Sequence, residues 1–133
     1  MEAAQALTLK PIDKAAAAQA FSPCAGLDPD GIETPEGAAN AGQCFRLEVD
    51  KGYLVLSVSI VSNGVWCHAA AGSGRGMTGA GLMALEQYAR ANDCRRVSFQ
   101  TMRLGLVRES RRRGYEVIAK KGKGFVINKE LQA

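Results

Sequence analysis

Gly72-Ser-Gly-Arg-Gly-Met-Thr-Gly-Ala-Gly81 is the most informative segment of the chain, because a β-like pattern precedes it and a helical pattern follows it. It carries five glycines in ten residues. Glycine lets the backbone approach a ligand closely, and the N–H groups of a first helical turn attract an anion. The stretch therefore predicts an anion-binding site at a helix N-terminus. A flexible connector that binds no ligand is the alternative interpretation.

Upstream of this stretch, three segments alternate in hydrophobicity as strands do. Cys44–Val49 and Tyr53–Val61 come first, and Val65–Ala71 follows after the turn Ser62-Asn-Gly64. Asn-Gly tolerates the positive φ angles that a tight hairpin requires. The pattern predicts an antiparallel meander of three strands.

Downstream of the stretch, Leu82, Leu85 and Ala89 fall on one face of a helix predicted over Leu82–Ala91. The remaining predicted elements are a strand over Arg95–Thr101, a helix over Leu104–Arg113, and strands over Tyr115–Ala119 and Phe125–Asn128. Strand, glycine-rich turn, helix and strand form a βαβ-like unit set between antiparallel hairpins. The predicted fold class is therefore α+β, with a mixed central sheet.

The segment before the meander is less regular. Leu7–Ile12 reads as a short edge strand, and Asp13 is positioned to cap a helix over Lys14–Phe21. Residues 22–43 carry three of the four prolines and no hydrophobic period, which predicts a long loop with one helical turn at most. At 133 residues, the chain is predicted to form a single domain, 1–133.

The composition is that of an ordinary globular protein, with 47% hydrophobic and 23% charged residues. No signal peptide and no membrane-spanning run is visible in the sequence, so a cytoplasmic protein without membrane contact is expected. The four cysteines form no C-x-x-C pair. We therefore expect free, mostly buried thiols and no metal site.

The charge is unevenly distributed along the chain. Residues 1–89 hold five Lys/Arg and nine Asp/Glu, a balance of −4, whereas residues 90–133 hold twelve against four, a balance of +8. A basic C-terminal third indicates a phosphate-bearing partner, which is either a nucleic acid or a nucleotide cofactor.

A second feature is the stretch from Val97 to Tyr115, in which a strand, a short helix and a Gly-Tyr pair follow one another. Together with the glycine-rich turn, it resembles the acyl-CoA-binding core of the GNAT-type N-acetyltransferase superfamily. The chain order agrees best over residues 44–130, with 22–43 as the loop. Val97–Tyr115 also looks like short GNAT-like proteins of phages and prophages.

The resemblance implies binding of acetyl-CoA, or a related acyl-CoA, and acyl transfer to a small-molecule or protein amine. It assigns the pantetheine arm to the third meander strand and the diphosphate to the glycine-rich turn. The cofactor-binding residues would be Ala69, Ala70, Ala71, Arg75, Gly76, Met77, Thr78, Gly79, Ala80 and Gly81.

Catalytic residues are proposed at two positions. Many members of the superfamily carry a proton-donating tyrosine four residues before the Gly-Phe or Gly-Tyr pair, where this chain has Ser110. A serine hydroxyl is a weak general acid. Tyr115 is interpreted as core, and Tyr53 is a distant substitute. His68, the single histidine, is the proposed base, with a structural role as the alternative. Glu48 is a second candidate base.

Two other functions remain open at this point. Without the tyrosine, the chain is also consistent with a catalytically silent GNAT-fold protein that acts through protein contacts. The basic third, with Arg108, Arg111, Arg112 and Arg113, is also consistent with a nucleic-acid-binding module. The acceptor is expected to contact residues 13–43, and a homodimer is possible through the C-terminal strand.

Overall fold

Four α-helices and seven strands make up the parts of the chain that the computed structural model describes, which are residues 7–24, 34–49, 52–74 and 76–132. The helices are α1 (Lys14–Phe21), α2 (Pro35–Ala41), α3 (Met77–Ala91) and α4 (Leu104–Arg112), and a 3-10 turn at Ser22–Cys24 follows α1. The strands are β1 (Leu9–Pro11), β2 (Gln43–Val49), β3 (Gly52–Val61), β4 (Gly64–Ser73), β5 (Arg96–Thr101), β6 (Glu116–Lys121) and β7 (Gly124–Glu130).

The strands form one mixed sheet in the order β1-β2-β3-β4-β5-β7-β6. Every neighbouring pair is antiparallel except β4 and β5, which run parallel and are joined through α3. The predicted α+β class, the three-strand meander and the βαβ-like unit are therefore confirmed.

The β3–β4 turn shows how the local sequence sets the register. Ser62 and Asn63 have φ angles of 48° and 62°, which is the left-handed pair that a two-residue hairpin turn requires. The turn fixes the pairing of Val61 with Gly64, and this register determines which residues of β3 and β4 share a face of the sheet.

Each face of the sheet is covered by its own helices. On one face, Ala17 and Phe21 of α1 and Ala38 and Ala39 of α2 pack against Val55 of β3. On the other face, α3 and α4 pack against a larger apolar cluster. That cluster includes Leu56, Val58, Val65, Leu82, Leu85, Ala89, Val97, Val107 and Ile127.

Two predictions about element bounds are wrong. Residues 22–43 are not a plain loop with a single turn, because they contain the two-turn helix α2, which the Thr34 side chain caps by accepting from the Gly37 N–H at 2.9 Å. Likewise, α3 begins at Met77 rather than at Leu82. Its first turns contain Gly79 and Gly81, which lie against other side chains, so tertiary packing overrides the low helix propensity of glycine.

The C-terminal strand does not offer a dimer edge. β7 is hydrogen-bonded to β5 on one side and to β6 on the other, so the edge strand at this end of the sheet is β6. The route to a homodimer expected from the sequence is therefore closed.

Candidate active site

The sheet opens between its two parallel strands. β4 and β5 pair from Gly64 with Arg96 to Cys67 with Phe99, and no pairing follows, although β4 continues to Ser73. Beyond this point β4 pairs only with β3, and the last residues of β5 pair only with β7. The two strands therefore separate, and a narrow ligand can enter the sheet between them.

A β-bulge at His68 begins this separation. Val58 pairs with Cys67 and Ser57 pairs with Ala69, so His68 is the extra residue on β4. A bulge bends its strand and increases the local twist, which moves β4 away from β5. Ala69, Ala70 and Ala71, the residues predicted to bind pantetheine, follow directly and line the β4 side of the opening.

The N-terminus of α3 lies at the end of the same strand. Gly76 occupies the N-cap in the left-handed region, with φ of 71°, and makes no side-chain cap bond. The first turn contains no acidic residue, and the Ala80 N–H donates to the Gly76 carbonyl at 3.1 Å. The amides of Met77, Thr78 and Gly79 therefore form an electropositive helix end that is open to an anion. Arg75 lies outside the described residues.

Gly79 and Gly81 are glycines for different reasons. A β-carbon at Gly79 would collide with Nη2 of Arg113, the residue just after α4. A β-carbon at Gly81 would lie 2.6 Å from Cδ2 of Leu54 on β3. Gly79 thus lets a guanidinium approach the N-terminus of α3, whereas Gly81 lets the helix approach the sheet.

Arg113 is a functional candidate that sequence reasoning did not single out from the basic cluster. Its Nε donates to Glu109 Oε1 at 3.1 Å, and its terminal nitrogen lies against Gly79. The other arginines of the cluster, Arg108, Arg111 and Arg112, line an open depression of about 510 Å³ on α4. No local pattern reveals this difference, because Arg113 and Gly79 are brought together only by the tertiary fold.

His68 faces the α1/α2 side of the opening. Its Nε2 lies 2.8 Å from Ser59 Oγ, and Ser59 Oγ donates to the carbonyl of Ala41 at the end of α2, at 3.0 Å. Burial lowers the pKa of His68, because a half-buried imidazolium loses hydration. The imidazole is therefore neutral at pH 7 and available as a proton acceptor.

Ser110 lies on the opposite side of the sheet from His68. Its side chain is fully buried on α4, and Ser110 Oγ has no hydrogen-bond partner among the described residues. The sheet separates the two predicted catalytic side chains, so only a ligand in the opening could approach both.

The tyrosines and Glu48 have structural surroundings. Tyr115 is 2% exposed, in agreement with its interpretation as core, and its hydroxyl donates to Glu86 Oε2 at 3.0 Å. Burial, with the Glu86 carboxylate as a further cause, raises the pKa of Tyr115 far above its usual value. Tyr53 lies under the guanidinium of Arg46, at 4.2 Å. Glu48 pairs with Arg46 on the exposed surface of β2, two strands away from β4.

A second depression lies beside the hairpin turn, where β4 and β5 are still paired. Its volume is about 430 Å³, a size suited to a small molecule. Trp66, which shares the α1/α2 face with Ser59, is part of its wall. The complete lining is Val61, Ser62, Gly64, Val65, Trp66, Arg96, Ser98, Ile118, Asn128 and Glu130.

A mixed sheet that splits between parallel strands, with a glycine-capped helix after the split, defines an acyl-CoA N-acyltransferase fold. Comparison with solved structures supports this assignment: the structural neighbours are acetyltransferases of the GNAT superfamily. The Sinorhizobium meliloti phosphinothricin acetyltransferase, solved with acetyl-CoA, superposes with a TM-score of 0.64 at 15% identity, over 96% of this chain and 89% of its own.

Two further neighbours cover the chain to a similar extent. The PaiA N-acetyltransferase of Thermoplasma acidophilum, solved with coenzyme A, gives a TM-score of 0.58 at 14% identity, over 95% of this chain and 99% of its own. An aminoglycoside 6′-acetyltransferase of type Ii gives 0.58 at 12% identity, over 95% and 98%.

Sequence comparison gives no match. No protein-family model matches the chain, and none of the curated proteins matches it. A phage or prophage origin is not supported by the neighbours. Among the described residues, no helix is long and apolar enough to cross a membrane.

Proposed function

We propose that this protein is a CoA-dependent N-acyltransferase that moves an acetyl or related acyl group from CoA to an amine. The observation that carries the proposal is the opening between β4 and β5, which has the histidine-containing bulge at its start and the glycine-capped end of α3 beyond it. An extended thioester fits a slit in a sheet, and a diphosphate fits a helix N-terminus.

The residues around the slit fit CoA. Backbone groups of Ala69–Ala71, on the β4 side of the opening, would bind the pantetheine amides. The amides of Met77, Thr78 and Gly79 would hold the diphosphate, and no carboxylate in that first turn opposes it. Arg113, held by Glu109 against Gly79, adds a positive charge beside these amides.

Bound acetyl-CoA would supply a thioester carbonyl that is open to attack by an amine. His68 would accept the proton that the amine loses as its nitrogen bonds to the carbonyl carbon. A covalent cysteine intermediate has no support, because burial raises the pKa of Cys67 to about 12 and keeps the thiol protonated. Direct transfer to the amine is therefore the proposed route.

The amine would reach the slit from the α1/α2 face, where His68 and Trp66 lie. The depression beside Trp66 suits a small-molecule amine better than a folded protein, since its volume is only about 430 Å³. A cytoplasmic location agrees with the free, buried thiols of Cys44, Cys67 and Cys94.

A catalytically silent scaffold is the second candidate, and the burial of Ser110 favours it. A hydroxyl sealed in the core is a poor donor to a departing thiolate. If the protein is an enzyme, the CoA thiolate would take its proton from solvent instead. This is feasible because a thiolate is a good leaving group near neutral pH.

The two candidates are separated by measuring binding and turnover together. Calorimetry with acetyl-CoA and with CoA is expected to show micromolar binding. Thiol release in the presence of a panel of primary amines would then show transfer. Binding without release for any amine would favour the silent scaffold. No binding at millimolar acetyl-CoA would overturn the enzymatic proposal and leave the silent scaffold standing.

A further inference from the structure

Two serines of β3 tie the strand to α2, and only one of them contacts the histidine. Ser57 Oγ donates to the Ala38 carbonyl at 2.7 Å, and Ser59 Oγ donates to the Ala41 carbonyl at 3.0 Å. Ser59 Oγ also lies 2.8 Å from His68 Nε2. The Ala41 carbonyl, the Ser59 hydroxyl and the His68 imidazole form a hydrogen-bonded chain that runs from the end of α2 through β3 to the bulge in β4.

Counting protons along this chain fixes the state of the imidazole. A carbonyl oxygen only accepts, so Ser59 must donate its single hydroxyl proton to Ala41. The oxygen of Ser59 is then left with lone pairs, and its contact with His68 is a hydrogen bond only if Nε2 carries a proton. In the neutral imidazole the other nitrogen, Nδ1, is consequently unprotonated.

We propose that Ser59 is a positioning residue that holds His68 as the Nε2–H tautomer and leaves Nδ1 as the nitrogen that takes the proton from the acceptor amine. The inference rests on the proposed function for its chemical meaning, but the hydrogen-bond chain stands without it. The end of α2 thereby orients the base in the bulge.

A charged side chain also contacts the end of α2. Lys14 of α1 donates from Nζ to the carbonyls of Ala39, at 3.0 Å, and Gly42, at 2.7 Å, so its ammonium group stabilises the same end of α2. Among the described residues, none forms an ion pair with His68. The hydroxyl of Ser59 is thus the side-chain group that decides the tautomer.

Nitrogen NMR of the whole protein tests the assignment directly, because His68 is the single histidine and gives one set of ring signals. At pH 8 the ring is neutral. We expect a pyrrole-type shift for Nε2 and a pyridine-type shift for Nδ1, with a coupling that links Hε2 to the imidazole ring. A proton on Nδ1 instead would overturn the proposal.

Variants separate positioning from a general structural effect. In Ser59→Ala, exchange of Hε2 with water is expected to accelerate roughly tenfold, because the hydrogen bond that protects it is gone. Ser59→Thr keeps a hydroxyl and is expected to restore slow exchange. Ser57→Ala is the matched control, since it removes an equivalent bond to α2 and leaves His68 untouched; equal acceleration in this variant would overturn the proposal.

Kinetics then connect the tautomer to turnover. Ser59→Ala is expected to lower kcat about tenfold without changing the affinity for CoA, and Ser59→Thr to restore it. An unchanged kcat in an active enzyme would overturn the positioning role. If the wild-type protein shows the Nε2–H tautomer but transfers no acyl group, the proposed function fails, while the tautomer assignment is upheld.

Discussion

At the scale of single residues, His68 gives the clearest pH dependence. Its pKa lies below the usual 6.5, so the neutral base is present at pH 7 and is lost as the pH falls through the lowered value. We expect the contribution of His68, measured at each pH as the ratio of kcat/KM in the wild-type protein to that in His68→Gln, to be flat between pH 7 and 8 and to fall at a pH below 6.5. A decline that begins above pH 7 would show that another group controls the rate.

The same shift predicts a loss of stability in acid. The unfolded chain takes up a proton at His68 near pH 6.5, whereas the folded protein does so only at a lower pH. The free energy of unfolding should therefore fall as the pH drops below about 6.5. Urea titrations at pH 7.5 and 5.5 measure this loss, which should be smaller in His68→Gln.

His68→Gln should lower kcat at least about a hundredfold, the usual contribution of a general base, and should leave CoA affinity unchanged. Steady-state kinetics and calorimetry measure the two effects separately. An unaltered kcat would leave His68 with a structural role only.

Arg113 is expected to control affinity rather than rate. Arg113→Ala should weaken CoA binding by about tenfold or more, because a charge-assisted contact beside the α3 N-terminus is lost. Arg112→Ala is the control: Arg112 pairs with the same Glu109, at 3.7 Å, and its side chain is 72% exposed. Equal weakening by both variants would point to overall charge and not to the contact with Gly79.

At the scale of elements, the two glycines of α3 should respond differently to the same substitution. Gly79→Val displaces the flexible end of Arg113, so the protein should remain folded and lose CoA affinity. Gly81→Val forces α3 away from Leu54 and should lower stability by about 1–3 kcal/mol. Thermal unfolding combined with calorimetry distinguishes the two outcomes, and equal stability of both variants would contradict this account.

The elements also show what could be read from the sequence and why. The meander was predictable because Ser62-Asn-Gly64 fixes the turn and the flanking segments alternate. α2 was not predicted, since its seven residues, PEGAANA, have no apolar stripe and are helical chiefly through the Thr34 cap and the burial of Ala38 and Ala39. Local propensity carries little information where packing decides.

The site was predictable only in part for the same reason. The glycine-rich turn, His68 and Ala69–Ala71 lie close together in the sequence. Ser59, Ala41 and Arg113 join them through pairings that are distant along the chain. The bulge at His68 is also invisible in the sequence, because an added strand residue leaves no mark in the hydrophobic pattern of VWCHAAA.

At the scale of the whole molecule, a polar cluster joins α3 to β7 on the face of the sheet that α3 and α4 cover. Glu86 accepts from Tyr115 at 3.0 Å and from Lys129 at 3.1 Å, and the side chains of Glu86 and Lys129 are 13% and 26% exposed. Glu86→Ala should lower stability by about 3 kcal/mol, because it leaves a largely buried ammonium unpaired.

The double variant Glu86→Leu with Lys129→Met removes both charges and should recover much of that loss. Glu109→Ala, which removes exposed pairs only, should cost under about 1 kcal/mol. Chemical denaturation measures all three variants. A loss for Glu86→Ala no greater than that for Glu109→Ala would show that the cluster is not stabilising.

The extra residue in β4, His68, lies at the point where the two parallel strands separate. An in-frame deletion of a single codon, the one for His68, would leave Cys67 and Ala69 in their present register with β3 and straighten the strand. β5 could then pair with β4 beyond Cys67 and close the slit, while the apolar clusters on both faces of the sheet stay intact. A single-residue deletion could thus abolish the proposed acyl transfer and still leave a well-folded protein.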